Sequence, residues 1–217
     1  MTQSSTALMS VTVITIAMMS VTVNENYDGA MRWEPDSRGR LEQAAFALYG
    51  EHGFDETTVA EIAERAGLTE RTFFRHFADK RDVLFSGAGA LQDLFVDTVR
   101  NAPPLASPID AAMLALDATG ALFHDRREGA RQRHAIISAS AELRERELIK
   151  LASLSTAVAG ALRERGVPEP TASLTSEVTI TIFRIGFDRW VAPAEQRTLA
   201  ELMRDSFNAL KAVTADG

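Results

Sequence analysis

The run Thr69-Glu70-Arg71-Thr72-Phe73-Phe74-Arg75-His76 gathers, within two helical turns, most of the groups that proteins use to hold nucleic acid. Arg71 and Arg75 offer forked donors for phosphate or the guanine edge, Thr72 a hydroxyl, Glu70 an acceptor and His76 a ring nitrogen. Leu68, Phe73 and Phe77, interleaved with them, suit a core. This is chemistry of recognition rather than turnover. No nucleophile–base arrangement, phosphate-cradling loop or metal cluster stands anywhere in the chain, so no catalytic residue is assigned. Cysteine is absent and the four histidines, at 52, 76, 124 and 134, make no pair at helical ligand spacing. No metal and no cofactor is expected.

The elements that must position this run are written in capping signals. Leu41, Ala44, Ala45 and Leu48 recur at three-to-four spacing and give one apolar helix face, which Gly53 ends. Thr58-Val59-Ala60-Glu61 is a capping box, in which Thr58 and Glu61 satisfy each other's orphan amides. Its helix carries Val59, Ile62 and Ala63 inward and closes at Gly67, a residue at ease in a left-handed turn. Thr69 caps the next helix. Asp79 caps a longer one, running to Arg100, with Val83, Leu84, Ala88, Leu91, Phe95 and Val99 on one stripe. Residues 58–76 therefore have helix-turn-helix spacing, whose second helix can enter a major groove about 12 Å wide.

The formal net charge of −7 seems to argue against a nucleic-acid partner. Net charge governs solubility and steering, however, whereas DNA binding needs only a local basic face. Within 71–81, Arg71, Arg75, Lys80 and Arg81 stand against Asp79 alone. That cluster coincides with a helix N-terminus, itself favourable to phosphate.

The rest of the chain reads as helix with one exception. Residues 1–31 carry no charge before Glu25 and repeat Met-Ser-Val-Thr-Val at Met9–Val13 and Met19–Val23. They lack the basic start of a signal peptide, and Ala7–Val23 falls short of the roughly 20 apolar residues of a membrane span. An atypical, poorly ordered extension is expected there. Pro103, Pro104 and Pro108 mark a boundary. Beyond it helices are expected near 109–125, 128–140, 142–165, 171–191 and 194–213. The fourth has two apolar stripes, Leu174, Val178, Ile182, Ile185 and Ile180, Phe183, Phe187, Trp190, which suits a pocket on one side and a partner subunit on the other. The last repeats Leu199, Leu202, Met203, Phe207, Leu210 and Val213 at nearly 3.5 spacing. Candidate pocket residues are Phe123, His134, Phe183, Arg184, Phe187 and Trp190, an apolar wall with a few polar groups. With hydrophobic residues at 46%, the chain can bury a core, and a cysteine-free sequence fits the cytoplasm.

The segments Ala44–Tyr49, His52-Gly53-Phe54, Thr57-Thr58-Val59, Glu61-Ile62-Ala63, Ala66-Gly67-Leu68-Thr69, Thr72–Phe77, Asp79-Lys80 and Val83-Leu84 together resemble the N-terminal domain of the TetR family of repressors. The resemblance implies an all-α protein: an N-terminal three-helix helix-turn-helix domain over 32–85 and a helical ligand-binding and dimerisation domain over 86–217. It implies that Thr58, Thr69, His76 and Lys80 hold the phosphate backbone while Arg71 and Thr72 read bases, helped by Glu70 and Arg75. Phe74 stands where the family usually has a tyrosine that reaches phosphate. The implied partners are palindromic operator DNA, a second copy of the chain and a small-molecule effector, with no membrane. An enzyme, or a helical ligand-binding or interaction protein without DNA-binding activity, are the alternatives.

Overall fold

The computed structural model describes residues 36–215, and the expectations for residues 1–31 lie outside them. Ten helices and no strand occur among the described residues. They are α1 (Ser37–His52), α2 (Val59–Arg65), α3 (Glu70–His76), α4 (Lys80–Phe85), α5 (Ala88–Arg100), α6 (Pro108–Leu122), α7 (Arg127–Ala139), α8 (Ala141–Glu164), α9 (Thr171–Trp190) and α10 (Leu199–Ala215). The chain divides into two compact units, one extending to Gly87 and including Ser138–Ser140, the other comprising Ala88–Ile137 with Ala141 onward.

In the first unit α1 packs on α2, α3 and α4. Leu41, Ala45, Ile62, Phe73 and Phe77 are almost wholly buried at its centre, and Phe73 meets Phe77 at 5.4 Å between ring centroids. Burial of this kind contributes about 25 cal/mol per Å² of apolar surface, enough to hold α2 and α3, which at seven residues each would not survive alone. Val59, expected inward, is only half-buried.

The single helix expected from Asp79 to Arg100 is two helices. α4 ends at Phe85, a turn follows at Ser86-Gly87, and α5 starts at Ala88. Two glycines, Gly87 and Gly89, each lower helix propensity by about 1 kcal/mol. The Ser86 hydroxyl is drawn back to Glu42 Oε1 at 3.1 Å.

The second unit is a layered bundle in which α9 packs on α6, α8 and α10. Small residues set its tightest approaches: a Cβ on Gly120 would stand 2.7 Å from Ala200 Cβ, and one on Gly186 2.7 Å from Met203 Cγ. The last helix begins at Leu199 rather than 194. Arg131 Nε and Nη2 donate to the carbonyls of Val191 and Ala192 at 3.0 and 2.8 Å, and Arg127 Nη1 to that of Glu195 at 2.5 Å. These bonds hold 191–198 as a turn. Thr198 and Glu201 then form a capping box, with Thr198 N–H donating to Glu201 Oε2 at 2.8 Å and Glu201 N–H to Thr198 Oγ1 at 3.3 Å.

Candidate nucleic-acid interface

Both short helices start where the sequence places their caps. Glu61 N–H donates to Thr58 Oγ1 at 3.2 Å, while the Thr58 N–H and hydroxyl each donate to Glu61 Oε2 at 2.8 Å and hold the Glu61 carboxyl below its usual range. Gly67, at φ +64°, makes the turn. Thr69 Oγ1 accepts from Thr72 N–H at 3.2 Å and lies 3.0 Å from Thr72 Oγ1. Asp79 Oδ1 accepts from Asp82 N–H at 2.8 Å, which starts α4.

Burial of Phe73 and Phe77 turns the opposite face of α3 outward. Glu70, Arg71, Phe74 and Arg75 are exposed, with Phe74 at 55%, and Thr72 is half-buried. Arg71, Phe74 and Arg75 stand three and four residues apart, so they share one face. Neither Arg71 nor Arg75 is engaged in an ion pair or hydrogen bond among the described residues. The other two cations of the basic cluster are occupied. Arg81 Nη2 pairs with Asp79 Oδ2 at 2.7 Å. Lys80 Nζ donates to the carbonyls of Phe54, Asp55 and Thr57 at 2.8, 2.9 and 2.9 Å. Lys80, expected to hold phosphate, thus has its three ammonium donors directed at three backbone carbonyls.

His76 Nε2 lies 2.7 Å from Ser37 Oγ at the start of α1. Burial first, then the charges of Arg75 and Arg38, hold its pKa below the usual histidine value, with Asp36 pulling the other way. Ser37 was not singled out from sequence, nor were Arg38, whose guanidinium covers Phe77 at 5.0 Å, or Arg40, whose Nη2 donates to the Ala66 carbonyl at the end of α2. These contacts tie α1 to the helix-turn-helix. Their partners lie 26 to 39 residues away, beyond any local pattern.

In the second unit the expected pocket residues largely pack on each other. Phe123, Phe187 and Trp190 have ring centroids 5.8 to 5.9 Å apart, Phe183 lies 5.8 Å from Phe187, and His134 lies 6.2 Å from it. Arg184 faces solvent. A cavity of about 240 Å³ opens beside this cluster, lined by Gly120, Phe123, His124, Arg127, Trp190, Gln196, Thr198 and Leu199. Only Phe123 and Trp190 of the six expected residues reach it. Phe183, Phe187 and His134 belong to the aromatic cluster instead, and the polar lining comes from the α6–α7 and α9–α10 connections.

Residues 42–86 match the sequence profile of the bacterial regulatory proteins of the tetR family. Over that segment the chain is similar to the N-terminal domain of tetR-family regulators. It is 35% identical over 75 residues to the HTH-type transcriptional regulator TcmR of Streptomyces glaucescens, a stretch that covers 35% of this chain and 33% of that protein. The match thus spans about a third of the curated relative's length. Among solved structures it is similar to the TetR-family repressor FadR of Thermus thermophilus in complex with lauroyl-CoA, at 25% identity and a TM-score of 0.52, covering 80% of this chain and 92% of that one. FadR of Bacillus subtilis in complex with stearoyl-CoA shares the fold, at 19% identity, a TM-score of 0.55 and coverage of 79% and 96%. These TetR-family relatives are transcriptional regulators. No described helix is long and apolar enough to cross a membrane, and the described residues hold no metal-ligand cluster.

Proposed function

We propose that this chain is a cytoplasmic transcriptional repressor that binds palindromic operator DNA as a homodimer and is released by a small-molecule effector. One observation carries the reading: α3 presents Arg71, Phe74 and Arg75 outward, the two arginines unengaged, on a helix anchored by Phe73 and Phe77. Arg71 and Thr72 read base edges, with Glu70 and Arg75 assisting. Phe74 lays an apolar ring where a thymine methyl or a deoxyribose would meet it. Thr58, Thr69 and His76 face the phosphates. The test is selection of duplexes from a random-sequence library by the full chain, followed by fluorescence anisotropy. A palindromic consensus with half-sites about one helical turn apart is expected. Failure to enrich any sequence above non-specific binding refutes the reading.

Dimerisation is assigned to α9 and α10. Leu174, Ile185 and Val213 are exposed at 63%, 43% and 78%, an apolar surface that water disfavours. The apolar positions on α9 thus separate: Ile180, Ile182, Phe183 and Trp190 are core, and Leu174 and Ile185 are left for a partner. The effector is assigned to the cavity beside Trp190, and the acyl-CoA complexes of the FadR proteins make acyl-CoA the first class to try. Such a ligand must favour the conformation that cannot hold DNA, and operator DNA must weaken its binding by the same factor. Titration followed by tryptophan fluorescence, with and without saturating duplex, checks this. Equal affinities refute induction and leave DNA binding intact.

A further inference from the structure

Lys80 begins α4, directly after the recognition helix, where a cation could face phosphate. Its side chain instead turns inward. Nζ lies 2.8 to 2.9 Å from the carbonyl oxygens of Phe54, Asp55 and Thr57 and 4.5 Å from the centroid of the Phe54 ring. An ammonium has three N–H donors, and all three are used. The backbone of the same residue is held too, since the Tyr49 hydroxyl donates to the Lys80 carbonyl at 2.5 Å and the Tyr49 ring packs on Phe54 at 5.3 Å.

The three carbonyls belong to the turn between α1 and α2, which has left-handed Gly53 at its start and the Thr58 cap at its end. Thr57, wholly buried, closes the turn by donating its hydroxyl to the Gly53 carbonyl at 2.8 Å. Without a donor these oxygens would converge on one point and repel. We infer that Lys80 is a positioning residue: its ammonium locks the α1–α2 turn to the first turn of α4, and so fixes the helix-turn-helix from both sides without touching DNA. A planar guanidinium cannot reproduce three donors converging from one nitrogen, so arginine should not substitute, although arginine is a good phosphate ligand.

This inference rests on the DNA-binding reading only for its effect on affinity. The chain has three lysines, and Lys150 on α8 is exposed, an internal standard. Acetic anhydride labelling of the intact free chain, read by peptide mass spectrometry, should modify Lys80 at least about tenfold more slowly than Lys150, since each hydrogen bond to a charged group must break first. Lys80→Met and Lys80→Arg should both weaken binding to a library-selected duplex, with the salt slope unchanged in Lys80→Met, and both should speed amide exchange across residues 54–58. Restored affinity in Lys80→Arg, or a slope about one unit shallower in Lys80→Met with unchanged exchange, means a phosphate contact and overturns the inference. So does fast labelling of Lys80 in the free chain that DNA suppresses. If no duplex is enriched, the DNA reading fails, while labelling of the free chain still decides the clamp.

Discussion

Replacing Gly120 with alanine puts a methyl carbon where the first turn of α10 already lies. The new Cβ would stand 2.7 Å from Ala200 Cβ, 3.0 Å from its Cα and 3.1 Å from its amide nitrogen. Two of those atoms are backbone, so no rotamer change relieves the overlap and α10 must move away from α6. Overpacking of this kind costs about 1–3 kcal/mol. Alanine in place of a helical glycine returns up to about 1 kcal/mol of helix propensity. With backbone in the way the cost lies toward its upper end, and a net loss of about 1–2 kcal/mol is expected. Gly186→Ala provides the control. Its Cβ would meet Met203 Cγ at 2.7 Å but backbone only at 3.3 Å. A thioether side chain can swing aside, so the two terms should cancel to within about 1 kcal/mol. Urea unfolding at fixed protein concentration, read by circular dichroism, gives both values from the midpoint shift at constant slope. The double variant Gly120→Ala, Ala200→Gly should recover part of the loss, because the 2.7 Å overlap disappears while the 3.0 Å one remains. If Gly120→Ala is as stable as Gly186→Ala, the close approach of α6 and α10 does not limit the fold. Gly120 and Leu199 also line the cavity, so the same variant should alter effector binding.

Arg71→Ala is expected to relax preference at one base pair of the selected duplex at a cost of about 1–3 kcal/mol, whereas equal loss across all single-position variants would mean that Arg71 touches only phosphate. Thr58→Ala removes one side of the capping box and should lower stability by about 0.5–2 kcal/mol in thermal or urea melts, an unchanged midpoint arguing that the box adds nothing. Burial, with the charges of Arg75 and Arg38, places the folded pKa of His76 below the unfolded value of 6.5. Protons therefore favour the unfolded chain: the stability it contributes is full above that value and declines as pH falls through it toward the folded pKa. The wild type should lose stability between pH 7.5 and 5.5 relative to His76→Gln, and parallel pH profiles would refute the assignment.

What could be read from the sequence is what local physics decides. A capping box spans four residues, and a left-handed turn needs one glycine. Thr58 with Glu61, Gly67, Thr69 and Asp79 could thus be placed before any coordinates, and with them the outward face of α3, because Phe73 and Phe77 had to go in. Thr198 with Glu201 is an equally local signal, yet the break at Pro193 suggests a helix from 194, and only the bonds of Arg127 and Arg131 to the carbonyls of Val191, Ala192 and Glu195 hold that stretch as a turn. The rest depends on groups distant in sequence. The break at Ser86-Gly87 follows a hydroxyl drawn to Glu42, 44 residues away. The two stripes of α9 look alike until α6, α8 and α10 cover Ile180, Ile182, Phe183 and Trp190 and leave Leu174 and Ile185 bare. Lys80 was legible as a cation beside the recognition helix. Whether its ammonium faces phosphate or its own backbone depends on where the carbonyls of 54, 55 and 57 point, and only the packing of α1 against α4 brings those oxygens to one nitrogen.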